Sequence, residues 1–334
     1  MDNFQKRIII GTLYPISIFL FIPSIIIYHF TLLIWLITLT GSEFVAFILV
    51  FLGYLIDRKD KGITATFAEY LKFNSYGPLI VLILFFMFVS GYYIMTHTYI
   101  DTLIYINIVL IIFILLVLLQ PISNIKYNRI PSIENNEDTK IQSILKVFRD
   151  YNITPHIKII DTNSVKIANG YQSDKYYIYI TSYLLSNLSE SELEAVVAHE
   201  IGHLVMKHNL KHFLISWLAL VFGINAFLLS FIEKKFYILI PIAIIFLYIF
   251  ATLILPLLQR SDEVKADLFA CKAVGADTVK SALVSIDNLN KTPLKFSPKY
   301  MYTFSLTLSH PSTTVRIKKI NEWSQKHGED KFPS

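Results

Sequence analysis

Apolar positions dominate the first third of the chain and return in a second block, while polar positions collect between and after them. From Ile8 to Ile56 the only charged side chain is Glu43. About 49 helical residues would reach about 73 Å, more than twice a hydrocarbon layer of roughly 30 Å, so this run predicts two helices with a turn near His29 to Thr31. Charge-free runs between Lys72 and Asp101, Asp101 and Lys126, Lys211 and Glu233, and Lys235 and Arg260 are each long enough for one more. The pattern predicts an α-helical membrane protein with about six transmembrane helices, four in residues 1–120 and a hairpin over 210–257. No small-residue cleavage site follows the first apolar run, which reads as a retained helix rather than a signal. With six spans, Lys6, Arg7, Arg58, Lys59, Lys61, Lys72, Lys126, Arg129, Lys207, Lys211, Arg260 and Lys265 share one side, which the positive-inside rule makes cytoplasmic. A re-entrant rather than spanning Phe44–Ile56 would reverse that parity.

Two stretches, 121–209 and 258–334, are too polar for lipid and are expected to form one aqueous domain. The first carries apolar residues at helical spacing (Ile141, Ile144, Leu145, Phe148) and two β-type runs, His156–Ile160 and Tyr176–Thr181, with Asn169-Gly170 as turn residues between them. Ser189 with Glu192 three residues on is a capping box that opens another helix. Composition narrows the class further. Hydrophobic residues make up 54% and charged residues 16%, against about 25% charged in a soluble domain. The single cysteine, Cys271, excludes an intrachain disulfide and a multi-cysteine metal site. A net charge of +5 from scattered basic residues suits anionic lipid and gives no reason to propose nucleic acid.

The capped helix contains Ala198-His199-Glu200-Ile201-Gly202-His203. Positions i and i+4 share a helix face, so His199 and His203 can direct imidazole nitrogens at one ion while Glu200 stands beside them as a base. A catalytic zinc takes three protein ligands and keeps one position open. Beyond the last apolar run the chain reads Arg260-Ser261-Asp262-Glu263-Val264-Lys265-Ala266-Asp267, again with carboxylates at i and i+4. Glu263 is the candidate third ligand, and Asp267 the candidate acceptor for the second N–H of one histidine. The hairpin returns the chain to the side it left, so the two helices can meet. An extended H-E-x-x-H-x-x-G-x-x-H site is excluded by Met206 and Asn209. Charged residues on both sides of the motif place it at or just outside the membrane surface. His208 and His212 repeat the i, i+4 spacing without a carboxylate base between them, and read as interfacial histidines at the mouth of the next span.

Three motifs together resemble the HtpX and CAAX-prenyl-protease type of membrane-embedded zinc endopeptidase: H-E-x-G-H at His199–His203, R-x-x-E-x-x-A-D at Arg260–Asp267, and H-P-S-x-x-x-R at His310–Arg316. The resemblance covers about 165–320 and implies an α+β zincin-like catalytic domain, split between 121–209 and 258–334, with a small edge-exposed β-sheet beside the H-E-x-x-H helix. It implies one zinc per chain on His199, His203 and Glu263, with Glu200 as general base. It further implies that His310 and Arg316 help hold the substrate carbonyl, and that Asn169 lies on an edge strand that binds substrate backbone. Val264 replaces a common aromatic and Gly170 a common alanine. Four predicted spans precede the catalytic domain where two are usual in HtpX-like chains.

The expected reaction is metal-assisted peptide hydrolysis in which Glu200 takes a proton from the attacking water and delivers it to the leaving amine. The expected substrate is a membrane-associated or misfolded membrane polypeptide, met on the cytoplasmic face of the plasma membrane. Trimming of prenylated C-terminal peptides is the rival within enzymes, and a non-catalytic zinc-fold membrane sensor is the rival outside them. Oligomeric state leaves no mark in the sequence.

Overall fold

The computed structural model describes residues 32–74, 139–151, 153, 156–172, 177–232, 249–292 and 310–327, with isolated positions at 6, 10, 242, 245 and 246. In chain order the described elements are α1 (Leu32–Lys61), α2 (Phe67–Asn74), α3 (Thr139–Asp150), β1 (His156–Ile160), β2 (Gly170–Gln172), β3 (Tyr177–Thr181), α4 (Ser182–Asn187), α5 (Glu190–Val205), α6 (His208–Ile232), a π-helical turn (Phe250–Ile254), α7 (Leu255–Val274), α8 (Ala276–Asn290) and α9 (Thr313–His327).

The capping box fixes the start of the central helix. Ser189 Oγ accepts from the Glu192 backbone N–H at 3.3 Å, and Glu192 Oε2 accepts from the Ser189 N–H at 3.1 Å. The other oxygen of Glu192 accepts from Ser281 and Ser285 at 2.8 and 2.7 Å, so one carboxylate both caps α5 and ties it to α8. Behind the cap, α5 buries Leu193, Ala195, Val196, Val197, Ala198, Ile201 and Gly202. They join one core with Ile144, Val147 and Phe148 of α3, Ile178 and Ile180 of β3, Ala270 of α7, Val279 of α8 and Ile320 of α9. The two polar stretches therefore share a single core, and a helix apolar on most sides belongs at its centre.

The sheet order is β1-β3-β2, with β1 parallel and β2 antiparallel to β3. Asn169-Gly170, expected as turn residues between two strands, instead lead into a further strand, β2. The turn lies earlier, where Val165 and Lys166 N–H groups donate to Thr162 O. Asn169 pairs with Thr181, donating its N–H to Oγ1 at 2.9 Å and accepting the Thr181 N–H at 3.0 Å. The Asn290 side-chain amide brackets the preceding residue, accepting from Ala168 N–H at 3.1 Å and donating to its carbonyl at 2.7 Å.

Phe44–Ile56 lies inside α1, an unbroken helix through Lys61. After it, residues 62–66 dock on the catalytic domain: the Thr64 and Ala65 N–H groups donate to Ser164 O at 2.9 and 3.1 Å. Tyr54, Ile63, Ala65 and Tyr70 close over Val165 in a second small core. The boundaries expected at 209/210 and 257/258 fall inside α6 and α7, because each helix continues from one segment into the next. Among the described residues no helix is long and apolar enough to cross a membrane. The expected spans over 8–30, 75–100 and 102–125, and most of 236–248, lie outside the described residues.

Burial works against charge on Glu192, but the hydroxyls of Ser285, Ser281 and Ser189 and the Ser189 N–H outweigh it and hold its carboxyl below the ordinary range. A group whose folded pKa is depressed stabilises the fold above its unfolded value, about 4.3 for Glu, and loses that contribution as pH falls through the folded value. Glu192→Ala is therefore expected to lower stability by about 1–2 kcal/mol at pH 7. Its gap from wild type should narrow below about pH 4, as read by denaturant unfolding across pH.

Candidate active site

Two helices supply the site because they can approach closely. A Cβ added at Gly202, between Glu200 and His203 in the motif, would meet Ala266 Cα and Phe269 Cβ of α7 at 3.2 Å each. The bare glycine lets α5 lie against α7, which faces Glu263 and Asp267 toward His199 and His203. His199 Nε2 and His203 Nε2 are 3.1 Å apart. Glu263 Oε2 stands 3.5 Å from the first and Oε1 3.4 Å from the second.

These three side chains fit a tetrahedral zinc ion. Two ligands each at about 2.0–2.1 Å from zinc, at a tetrahedral angle, lie about 3.3 Å apart, close to the spacing of the two imidazole nitrogens. Glu263 Oε2 is buried without an aligned hydrogen bond. Burial opposes charge on His199, yet Asp267 and Glu263 push its pKa up to about 10. A pocket that stabilises positive charge on a buried ring also favours a divalent cation in the proton's place. His199, His203 and Glu263 form a candidate metal-binding group among the described residues.

The surrounding groups are ordered by charge. Asp267 Oδ1 stands 3.0 Å from His199 Nδ1, and its carboxylate is gripped by Arg316 through Nε at 2.7 Å and Nη2 at 2.5 Å. Burial works against the Asp267 carboxylate, and Arg316 and His199 together hold it below the ordinary range. Arg316 Nη2 also lies 3.7 Å from Glu263 Oε2. Thus Arg316 is forked on Asp267, one step behind the imidazole, while His310 is exposed with Nδ1 2.9 Å from Glu263 Oε2. Glu200 is 8% exposed. Burial pushes its carboxyl above the ordinary range despite His199 and His203 nearby, which brings it toward the pH at which a base works best.

The edge strand runs beside this cluster. A Cβ on Gly170 would strike Val196 Cγ1 at 2.8 Å and approach Glu200 Cγ at 3.7 Å. Gly170 therefore lets β2 lie on α5 alongside the motif glutamate, and Asn169, with its side chain exposed, sits at the head of that strand.

Two contributors carried little signal in the sequence. His208, expected as an interfacial histidine, has Nδ1 2.8 Å from His203 Nδ1, and burial lowers its pKa to about 4. Positions i and i+5 lie about 140° apart on a straight helix. The break between α5 and α6, where Lys207 adopts φ of 53°, turns His208 back onto His203. Asp262, 1% exposed, lies behind His208.

The family model described as peptidase family M48 matches residues 135–324. The chain belongs to peptidase family M48. Family membership makes it a metalloprotease. It is 25% identical over 223 residues to Protease HtpX of Psychrobacter sp., covering 57% of this chain and 71% of the relative. It is 34% identical over 151 residues to the CAAX prenyl protease 1 homolog of Homo sapiens, covering 40% and 31% respectively. The crystal structure of S. mikatae Ste24p superposes with a TM-score of 0.61 at 18% identity, covering 92% of this chain and 79% of that one. The chain thus has the Ste24p-like fold.

Gly170→Ala is expected to push β2 off α5, costing about 1–3 kcal/mol and lowering peptidase activity. Adding Val196→Ala, which removes the atom in the way, should restore most of both. Thermal unfolding and turnover of the single and double variants test the contact.

Proposed function

We propose that this M48 peptidase is a membrane-integrated zinc endopeptidase with its catalytic domain on the cytoplasmic face of the plasma membrane. The observation that carries the reading is the convergence of His199, His203 and Glu263 beside a buried Glu200. When bound, zinc supplies Lewis-acid polarisation of the scissile carbonyl and lowers the pKa of a water at its open position. Glu200 takes the proton of the attacking water on its carboxylate and passes it to the leaving amine. An extended substrate adds to the outer edge of β2 by backbone pairing, starting at Asn169. His310, exposed beside Glu263, donates to the carbonyl oxygen as negative charge grows there, and Arg316 supplies positive field from behind Asp267.

Exposed large apolar residues support the membrane assignment. Phe44, Phe47 and Phe51 of α1, Leu218 and Phe222 of α6, and Ile242, Ile245 and Ile249 are 39–64% exposed, and clustered exposed apolar residues of this kind mark a membrane or partner surface. Arg58, Lys59 and Lys61 close α1 at the end that docks on the catalytic domain, which supports the cytoplasmic side.

The substrate is a membrane-associated polypeptide, and misfolded membrane proteins are the first reading. Lipid-modified C-terminal peptides are the second. The likeness to the CAAX prenyl protease 1 homolog of Homo sapiens, 34% identical over 151 residues, supports this second reading. Purified protein offered a prenylated peptide and an unfolded membrane protein separates the two. A non-catalytic sensor fits poorly with a buried motif glutamate at the metal cluster.

Glu200→Gln is expected to retain zinc and lose at least about 100-fold in turnover, whereas His203→Ala loses both zinc and activity. Metal analysis beside chelator-sensitive peptide cleavage tests this, and near-normal turnover by Glu200→Gln would overturn the reading.

A further inference from the structure

The two zinc-binding histidines are backed differently. His199 turns Nδ1 to the carboxylate of Asp267, but His203 turns Nδ1 to another imidazole, that of His208, at 2.8 Å. Valence decides how that second contact is wired. A neutral imidazole carries one proton on one of its two nitrogens. His203 must keep Nε2 bare to bind metal, so its proton sits on Nδ1 and it is the donor. His208 must then accept on a bare Nδ1, and its own proton sits on Nε2. That atom faces Asp262, with Oδ1 3.6 Å away. Asp262 is held in turn by Lys265 at 2.7 Å, Lys211 at 3.0 Å and His212 at 3.1 Å. The chain His203–His208–Asp262 therefore has one consistent proton arrangement, and each member is buried or nearly so, at side-chain exposures of 13%, 4% and 1%.

We propose that His208 is a positioning residue for the metal site: its Nδ1 fixes the tautomer and ring orientation of His203, with Asp262 fixing His208 from behind. This rests on the zinc reading above. The arrangement also limits negative charge around the ion. One histidine is backed directly by a carboxylate, while the other is backed by a neutral ring with the carboxylate one residue further out. Groups that orient a ligating histidine typically change metal affinity by roughly 10–100-fold when lost.

Three variants of the full chain, purified in detergent and stripped of metal, test the inference by zinc titration against a chromophoric chelator. His208→Asn can place its amide oxygen near the position of Nδ1. His208→Gln carries the same amide but places it near Nε2, and His208→Phe keeps a ring without an acceptor. Zinc affinity of His208→Asn is expected within about threefold of wild type, with His208→Gln and His208→Phe weaker by roughly 10–100-fold. The visible spectrum of bound cobalt should follow the same division. Equal zinc affinity in the Asn and Gln variants overturns the inference, as does wild-type affinity in the Phe variant. If His208→Phe fails to fold, the Asn and Gln pair still decides. A wild-type chain that binds no zinc brings down the zinc reading itself, a failure distinct from one seen only among the variants.

Discussion

The close crossing of α5 and α7 is the contact on which the rest of the molecule depends. Gly202 has no side chain to hold the helices apart, so the backbone of one meets Ala266 and Phe269 of the other. That contact sets the distance between imidazoles and carboxylates contributed from positions sixty residues apart. The surrounding structure reinforces it: Glu192 binds α5 to α8, and Arg316 brings α9 onto Asp267. Each tie uses a polar group at the rim of the same core.

Charge is arranged in layers around that crossing. The inner layer holds two imidazoles and a carboxylate, and the next holds one carboxylate and one imidazole. Outside these stand Arg316 on one flank and, on the other, Asp262 with Lys211 and Lys265 around it. Alternation of this kind lets buried ionic groups persist, since an unpaired charge at such depth carries a penalty of several kcal/mol.

Much of the site was legible in the sequence because helical spacing is a local code. His199 and His203 share a face by their spacing, as do Glu263 and Asp267, and the capping box marked where the helix begins. The features that escaped depend on contacts between distant residues or on breaks in regular backbone. Asn169-Gly170 has turn-type composition but extends into a strand because Thr181 pairs with Asn169, and Asn290, 122 residues beyond Ala168, clamps Ala168 just ahead of it. The i, i+5 approach of His208 to His203 requires a left-handed lysine that no periodicity reveals. Helix boundaries were also obscured where an apolar run passes without interruption into a polar helix, as in α7.

The docking of residues 62–66 on the 162–165 turn has a mechanical consequence. Only Lys166 to Ala168 separate that turn from Asn169, and Thr162 Oγ1 donates to Ile167 O across the gap. A shift of α1 along its own axis would therefore be transmitted through a short, braced lever to the start of β2 rather than absorbed by slack. The end of α1 and the opening of β2 are thus anchored on the same few residues of backbone.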